Sequence, residues 1–464
     1  MAMDFIGRAH ELRILNKEYS KMNSFALITG RRRVGKTRLI KEFIGDRSAL
    51  YFLATEQSER PMLNDFSDAI SKYSGKVQGE YRNWRDAFSA FAGSKAGKKI
   101  LIIDEFQNMV KLNKAFLSIF QEIWDGSLSS EELMLIVCGS HISVMESLDK
   151  DSGSPLYGRF TRHITLQPLS FKEVYDGRNY IEAVESYAVL GGVPRYMELF
   201  DDIPLRENIE INVMDPSSTM FDDPRVLLGH EVKEPASYTS IIKAIAAGNR
   251  KISSISSALE IPATTLNPYL KRLIEIRMVR RTVPITENDP EKSKLGLYSV
   301  DDMYTSFWFR FVYPYYSELS LGNTKWAMSE FDRHFAEDHV SFVFESICRD
   351  SVRDLEDLIG FIPTKIGSYW KKDMEIDILA LNTQEKKAFA AECKYHKNKP
   401  VSHHILNELE GKCASVKELE DYTVVFGLFS VSGFDSRLMN EEDVVLIDKG
   451  VALDKNNRHY PTTR

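Results

Sequence analysis

The sequence predicts an α/β protein: a parallel sheet holding a phosphate-binding loop, then smaller helical modules and a second α/β domain. Three observations lead there. Residues Gly30–Thr37 read Gly-Arg-Arg-Arg-Val-Gly-Lys-Thr, which meets the pattern G-x-x-x-x-G-K-[ST] at every position. Lys99–Glu105 is an apolar run that ends in two carboxylates. Asp373–Lys394 holds two strand-like runs in which acids and a lysine recur at a two-residue period.

The loop is read from its flanks inward. Phe25–Ile28 is a continuous apolar run, as in a parallel strand covered on both faces. Arg38–Ile44 repeats its apolar residues at helical spacing. Between them, the backbone of Gly30, Arg31, Arg32, Arg33, Val34 and Gly35 can wrap an anion, because glycine permits the turns that aim N–H groups inward. The helix start adds its partial positive charge. Lys36 can reach the β- and γ-phosphates of ATP, and the Thr37 hydroxyl can ligate Mg²⁺. Arg38 completes the binding set.

Composition narrows the remaining options. At 464 residues the chain has room for two to four domains. Hydrophobic residues make up 43% and charged residues 27%, as in ordinary globular cores. No apolar run approaches the roughly 20 residues of a membrane helix. Nothing after Met1 resembles a signal peptide, so a cytoplasmic location is expected. Cys138, Cys348, Cys393 and Cys413 are scattered without a Cys-x-x-Cys, which fits a reducing compartment and argues against a zinc site. With a formal net charge of -7, contact with nucleic acid has to use a local basic patch.

In chain order, Ala9–Tyr19 opens as a helix. Lys99–Glu105 reads as a central strand that delivers its acids to the C-terminal sheet edge, where open α/β sheets bind ligands. There Asp104 can hold Mg²⁺ and Glu105 can act as general base toward the attacking water. Leu133–Ser140 is a further buried strand. Ser140 or His141 at its end either senses the γ-phosphate or simply terminates the strand. Arg159, on a turn after Ser154, is a candidate arginine finger, in cis or toward a neighbouring subunit of a homo-oligomer.

In this order, Phe5–Arg8, Gly30–Thr37, Ile102–Glu105, Cys138–Ser140, Leu156–Arg159 and Leu190–Tyr196 resemble the archaeal-type AAA+/STAND ATPases. The resemblance implies an ATPase core over residues 1–167 and a helical lid over 168–230. It also implies that Arg195 lies near the nucleotide as a second sensor, although a helix start at Pro194 accounts for that segment equally well.

Residues 231–302 read as three helices and a hairpin, a winged helix-turn-helix. Thr264, Thr265 and Asn267 would meet a double-stranded DNA groove, and Lys271, Arg272, Arg280 and Arg281 would hold phosphates. A module used only for packing gives the same letters. Residues 303–330 are dense in aromatics and read as a docking helix.

Over residues 331–464, alternation in Ala388–Tyr395 puts Glu392 and Lys394 on one strand face, and Asp377 of the preceding strand can share it. Two carboxylates can hold Mg²⁺, and a lysine can orient a water for attack on phosphorus. Glu345 of the preceding helix can add a further carboxylate. The set Asp377, Glu392, Lys394 is similar to that of the PD-(D/E)XK nucleases, with Ile376 where the family pattern has proline. That resemblance implies a restriction-endonuclease-like fold and Mg²⁺-dependent cleavage. The alternative is a nucleotide-gated regulatory switch whose nuclease-like fold binds without cutting.

Overall fold

The computed structural model describes residues 5–453 apart from 77, 78, 96 and 114, together with the backbone of 459–461. The chain forms two compact units. One comprises the residues up to Leu169 with 193–199 and 227–233; the other comprises 170–192, 200–226 and the chain from Glu234 onward. The segment expected as a lid is therefore shared between the two.

The first unit carries a five-stranded parallel sheet of β1 (Asn23–Thr29), β2 (Leu50–Leu53), β3 (Lys99–Asp104), β4 (Leu133–Gly139) and β5 (Arg162–Thr165), in the order β2-β3-β4-β1-β5. β3 and β4 are buried at every position, which is why they read as unbroken apolar runs. Their alternate residues feed two cores. Phe25, Leu101, Ile103, Leu135 and Val137 pack against an aromatic layer that includes Phe66, Phe88 and Phe120. Ala26, Ile28, Ile102, Ile136 and Cys138 pack with Leu39, Ile40 and Phe43 of the helix Lys36–Ile44. That helix is thereby fixed with its N-terminus at the C-terminal end of β1, beside the ends of β3 and β4.

In the second unit, helices Pro235–Ala246, Ile252–Leu259 and Ala263–Glu275 precede an antiparallel ribbon of β6 (Val279–Thr282) and β7 (Leu297–Val300). The aromatic stretch does not form one long helix. It breaks after Met303–Phe311 at a short turn containing Pro314, which has no N–H to donate, and resumes as Tyr316–Ser320 and Lys325–Phe335. Lys325–Phe335 then runs through a π turn, Ala336–Val340, into Ser341–Ser351, the helix that carries Glu345.

A seven-stranded mixed sheet follows, made of β8 (Lys365–Lys371), β9 (Met374–Asn382), β10 (Lys387–Lys394), β11 (Thr423–Ser430), β12 (Val444–Asp448), β13 (Val451–Leu453) and β14 (His459–Pro461). β8, β9 and β10 form an antiparallel meander, and β10, β11 and β12 are parallel. Helix His403–Ala414 crosses from β10 to β11 and buries Leu406 and Leu409 against Ala388, Ala390 and Leu428.

Candidate functional site

In the first unit the loop after β1 closes tightly. A Cβ on Gly30 would stand 2.8 Å from the Leu166 carbonyl oxygen, and Gly35 has φ 92° at the cap of the following helix. Only glycine meets both conditions without strain. Arg33 and Glu105 are non-glycine residues at φ 72° and 55°. Such strain is usually held in place where a site needs it.

Lys36 is 7% exposed, and its ammonium donates to the carbonyls of Gly30 at 2.7 Å and Arg31 at 2.9 Å. Burial lowers its pKa, while Glu105, Cys138 and Asp104 act in the opposite sense. Thr37 donates to Asp104 Oδ2 at 3.0 Å, so the residues expected to share Mg²⁺ stand side by side. Asp104 also accepts from the Tyr51 hydroxyl, from Cys138 Sγ at 3.0 Å and from the Glu105 N–H at 2.9 Å. Nothing in the sequence signals that Tyr51 and Cys138 contact Asp104, because each reaches it from a neighbouring strand. Ser140 donates to Glu105 at 2.9 Å and Gln107 donates to the same carboxylate. Ser140 thus acts on the expected general base, while His141 lies 3.5 Å from Glu231.

A cavity of about 450 Å³ opens over these groups. Its lining includes Arg32, Arg33, Val34, Gly35, Lys36, Thr37, Arg38, Glu105 and Ser140. Phe5, Ile6, Leu169 and Pro194 add an apolar wall. The opening segment lines the cavity too: Arg8, 6% exposed, donates to the carbonyls of Val34 at 3.1 Å and Gln167 at 2.6 Å. Arg195 lines the cavity beside Glu198, its partner at 3.2 Å. Arg159 does not line it. Its guanidinium pairs with Asp125 at 2.7 Å and donates to the Pro155 carbonyl at 2.9 Å.

In the second unit, Asp377, Glu392 and Lys394 are brought together. Lys394 Nζ lies 2.6 Å from Glu392 and 3.6 Å from Asp377, and Asp377 Oδ2 accepts the Cys393 N–H at 2.8 Å. Lys412 at the end of the crossover helix takes the other oxygen of Glu392 at 2.7 Å. Burial raises Asp377 to about 6, with the Glu392 charge adding to it. Glu392 is buried as well, but Lys394 and Lys412 outweigh that and hold its pKa below the usual carboxylate value. Glu345 is pushed up to about 8 by burial and by the charges of Asp377 and Glu375. All four cysteines are buried thiols, and among the described residues no group of three His, Cys, Asp or Glu side chains is arranged to hold a metal.

Thr264, Thr265, Asn267 and Lys271 are exposed on the third helix of the helix–ribbon module. Arg281 is not available for phosphates as the sequence suggested. It ties down the β6–β7 turn through the carbonyls of Pro290 at 2.7 Å and Ser293 at 2.6 Å. No described helix is long and apolar enough to cross a membrane.

Residues 5–200 match a family described as an ATPase domain predominantly from Archaea. Residues 308–406 match a family described as archaeal and bacterial proteins of unknown function. An uncharacterized protein of Methanocaldococcus jannaschii, MJECL04, is 33% identical over 451 residues, covering 95% of this chain and 99% of that protein. A second uncharacterized protein of that organism, MJ0424, is 36% identical over 93 residues, 19% of this chain and 88% of its own length. Among solved structures, the Walker-type ATPase paby2304 of Pyrococcus abyssi superposes with a TM-score of 0.50 at 19% identity. It covers 66% of this chain and 96% of its own, a likeness of fold. The chain belongs to the family of MJECL04, and in this chain an archaeal P-loop ATPase domain is followed by a C-terminal domain with a separate mixed sheet.

Proposed function

We propose that the first unit binds ATP with Mg²⁺ and hydrolyses it. One observation carries this reading: Lys36, Thr37 and Glu105 line one cavity at the end of a parallel sheet, with Lys36 held inside the glycine loop and Asp104 bonded to Thr37 just behind the lining. The phosphates would lie against the loop N–H groups and Lys36, and the base against Phe5, Ile6, Leu169 and Pro194. Thr37 and Asp104 offer hard oxygen donors, the kind Mg²⁺ takes, and the ion would neutralise phosphate charge when bound. Glu105, aimed by Ser140 and Gln107, would take the proton from the water that attacks the γ-phosphorus. Arg195 would report on the γ-phosphate, and Arg159 would act on the site of a neighbouring copy once released from Asp125. Lys36→Ala should weaken ATP binding by about 10–100-fold, the loss of one charge-assisted contact set. Glu105→Gln should still bind ATP but hydrolyse it roughly 10²–10⁴-fold more slowly. Equilibrium binding and steady-state phosphate release separate the two effects; a Lys36→Ala protein with unaltered affinity would remove the proposal.

The second unit is proposed to work on double-stranded DNA. The order of three helices and a ribbon supports a winged helix, with Thr264, Thr265, Asn267 and Lys271 facing solvent. In the C-terminal sheet, a meander followed by a parallel crossover, with Asp377, Glu392 and Lys394 at its centre, supports the PD-(D/E)XK reading. Both oxygens of Glu392 are already paired with ammonium groups, which favours the second reading, a domain that binds nucleic acid under nucleotide control without cutting it. A Mg²⁺-dependent cleavage assay decides between them. Cutting that disappears in both Asp377→Ala and Lys394→Ala establishes the nuclease; no cutting by intact protein, with DNA still bound, establishes the switch.

A further inference from the structure

We propose that the second unit holds an anion site that takes a phosphate-bearing ligand of mononucleotide size, in the cavity lined by Arg250, Arg280, Arg310 and Arg349. The cavity is about 420 Å³ and draws its walls from the helix–ribbon module, helix Met303–Phe311, the π turn with the helix that follows it, and strands β8 and β9. The Nε atoms of Arg250, Arg310 and Arg349 are each buried without a hydrogen-bond partner. A buried cationic donor left unpaired is costly, and native proteins rarely tolerate it without a ligand or ordered water. Four arginines lining one cavity suit a polyvalent acceptor, because guanidinium forks match phosphate oxygens.

The protein contacts that do exist leave this need unmet. Arg310 reaches Asp338 at 2.9 Å, and Arg280 donates to Ser299 at 3.1 Å. Arg349 makes a 3.5 Å contact with the Asp377 carbonyl, and Arg250 lies over the Phe342 ring at 5.9 Å. Asp338, Glu345 and Glu375 also line the cavity, Arg280 lies 3.9 Å from Asp301, and Asp350 faces Arg349 and Arg280. Phe342, 52% exposed, and Trp370 give the same cavity aromatic surface on which a base can stack. The π turn Ala336–Val340 brings Asp338 and His339 to the wall, and such turns recur at functional sites. Lys36, Asp377, Glu392 and Lys394 are not part of the lining, so the site is separate from ATP binding, while Glu345 and Arg349 make it adjoin the Asp377 cluster.

The ligand's source is either a free nucleotide or the phosphorylated end of a DNA strand. The test uses the full chain carrying Lys36→Ala, so that the N-terminal loop does not take up the probe. Isothermal titration calorimetry compares thymidine 5′-monophosphate with thymidine, and 5′-phosphorylated with 5′-hydroxyl oligothymidine. The phosphorylated probe of at least one pair should bind about tenfold or more tightly than its partner, and Arg250→Gln and Arg349→Gln should each remove about tenfold of that affinity. Discrimination by the mononucleotide pair alone identifies a free nucleotide; by the oligonucleotides alone, a strand end. Arg250 and Arg349 lie on different elements, so if one variant misfolds by circular dichroism the other still reports. Equal binding of phosphorylated and unphosphorylated probes in both pairs, or full affinity in a folded arginine variant, overturns the proposal and assigns the unpaired donors to ordered water.

Discussion

His339 shows how one residue can carry a pH dependence without taking part in chemistry. Its ring is 5% exposed, its Nε2 donates to the Ala188 carbonyl at 2.8 Å, and Phe307, Phe311 and Phe335 surround it. Burial depresses its pKa from 6.5 to about 4; the Ala188 bond opposes that, and Arg310 adds to it. Above pH 6.5 both folded and unfolded chains keep the ring neutral, so the stability is whole. As pH falls from 6.5 toward 4, the unfolded chain takes up a proton that the folded chain refuses, and stability declines, by about 2 kcal/mol at pH 5 from this group. Urea midpoints at pH 7 and pH 5 check this. His339→Gln keeps a donor for Ala188 but cannot titrate, so its midpoint should shift less between the two pH values; identical shifts in both proteins would contradict the assignment.

At the scale of one element, helix Met303–Phe311 is anchored within the second unit by its buried aromatic side chains. Asp302 caps it through the Thr305 N–H at 2.7 Å. Tyr304 and Trp308 are fully buried, yet each keeps its polar tip satisfied, Tyr304 on the Met220 carbonyl at 2.7 Å and Trp308 on the Phe221 carbonyl at 2.6 Å. Apolar bodies with one hydrogen bond each make the element both sticky and specific. Trp308→Ala should cost about 3–5 kcal/mol through the cavity it leaves. Trp308→Phe should cost about 1–3 kcal/mol, chiefly from the orphaned Phe221 carbonyl. Chemical denaturation followed by circular dichroism measures both; a Phe variant as damaging as the Ala variant would show that the hydrogen bond, not the volume, dominates.

Over the whole molecule, two compact units that share no core predict two unfolding transitions, one for each unit. A non-hydrolysable ATP analogue with Mg²⁺ at about 100 times its Kd should stabilise the first unit by about 2.7 kcal/mol. Scanning calorimetry should show one transition rising and the other fixed. Lys36→Ala should cut the rise to about 0.4–1.4 kcal/mol at the same ligand concentration, and removing Mg²⁺ with a chelator should lower it too if Thr37 and Asp104 hold the ion. Equal movement of both transitions would mean that the units unfold together.

What the sequence alone determined is local. Gly30–Thr37, the acids that end β3 and the Asp377–Glu392–Lys394 hairpin were all legible, because strand alternation, glycine turns and helix periodicity act over a few residues. The helix Ala9–Tyr19 could be read to its ends for the same reason. Only the tertiary structure decided which distant groups meet. Tyr51 and Cys138 reach Asp104 because β2 and β4 flank β3 in the sheet, an order no spacing encodes. Arg281 spends its donors on its own turn, and four arginines from separate segments gather around one cavity. Periodicity tells a residue which face it occupies; the packing of that face against others, set by the summed burial of the whole core, tells it what it touches.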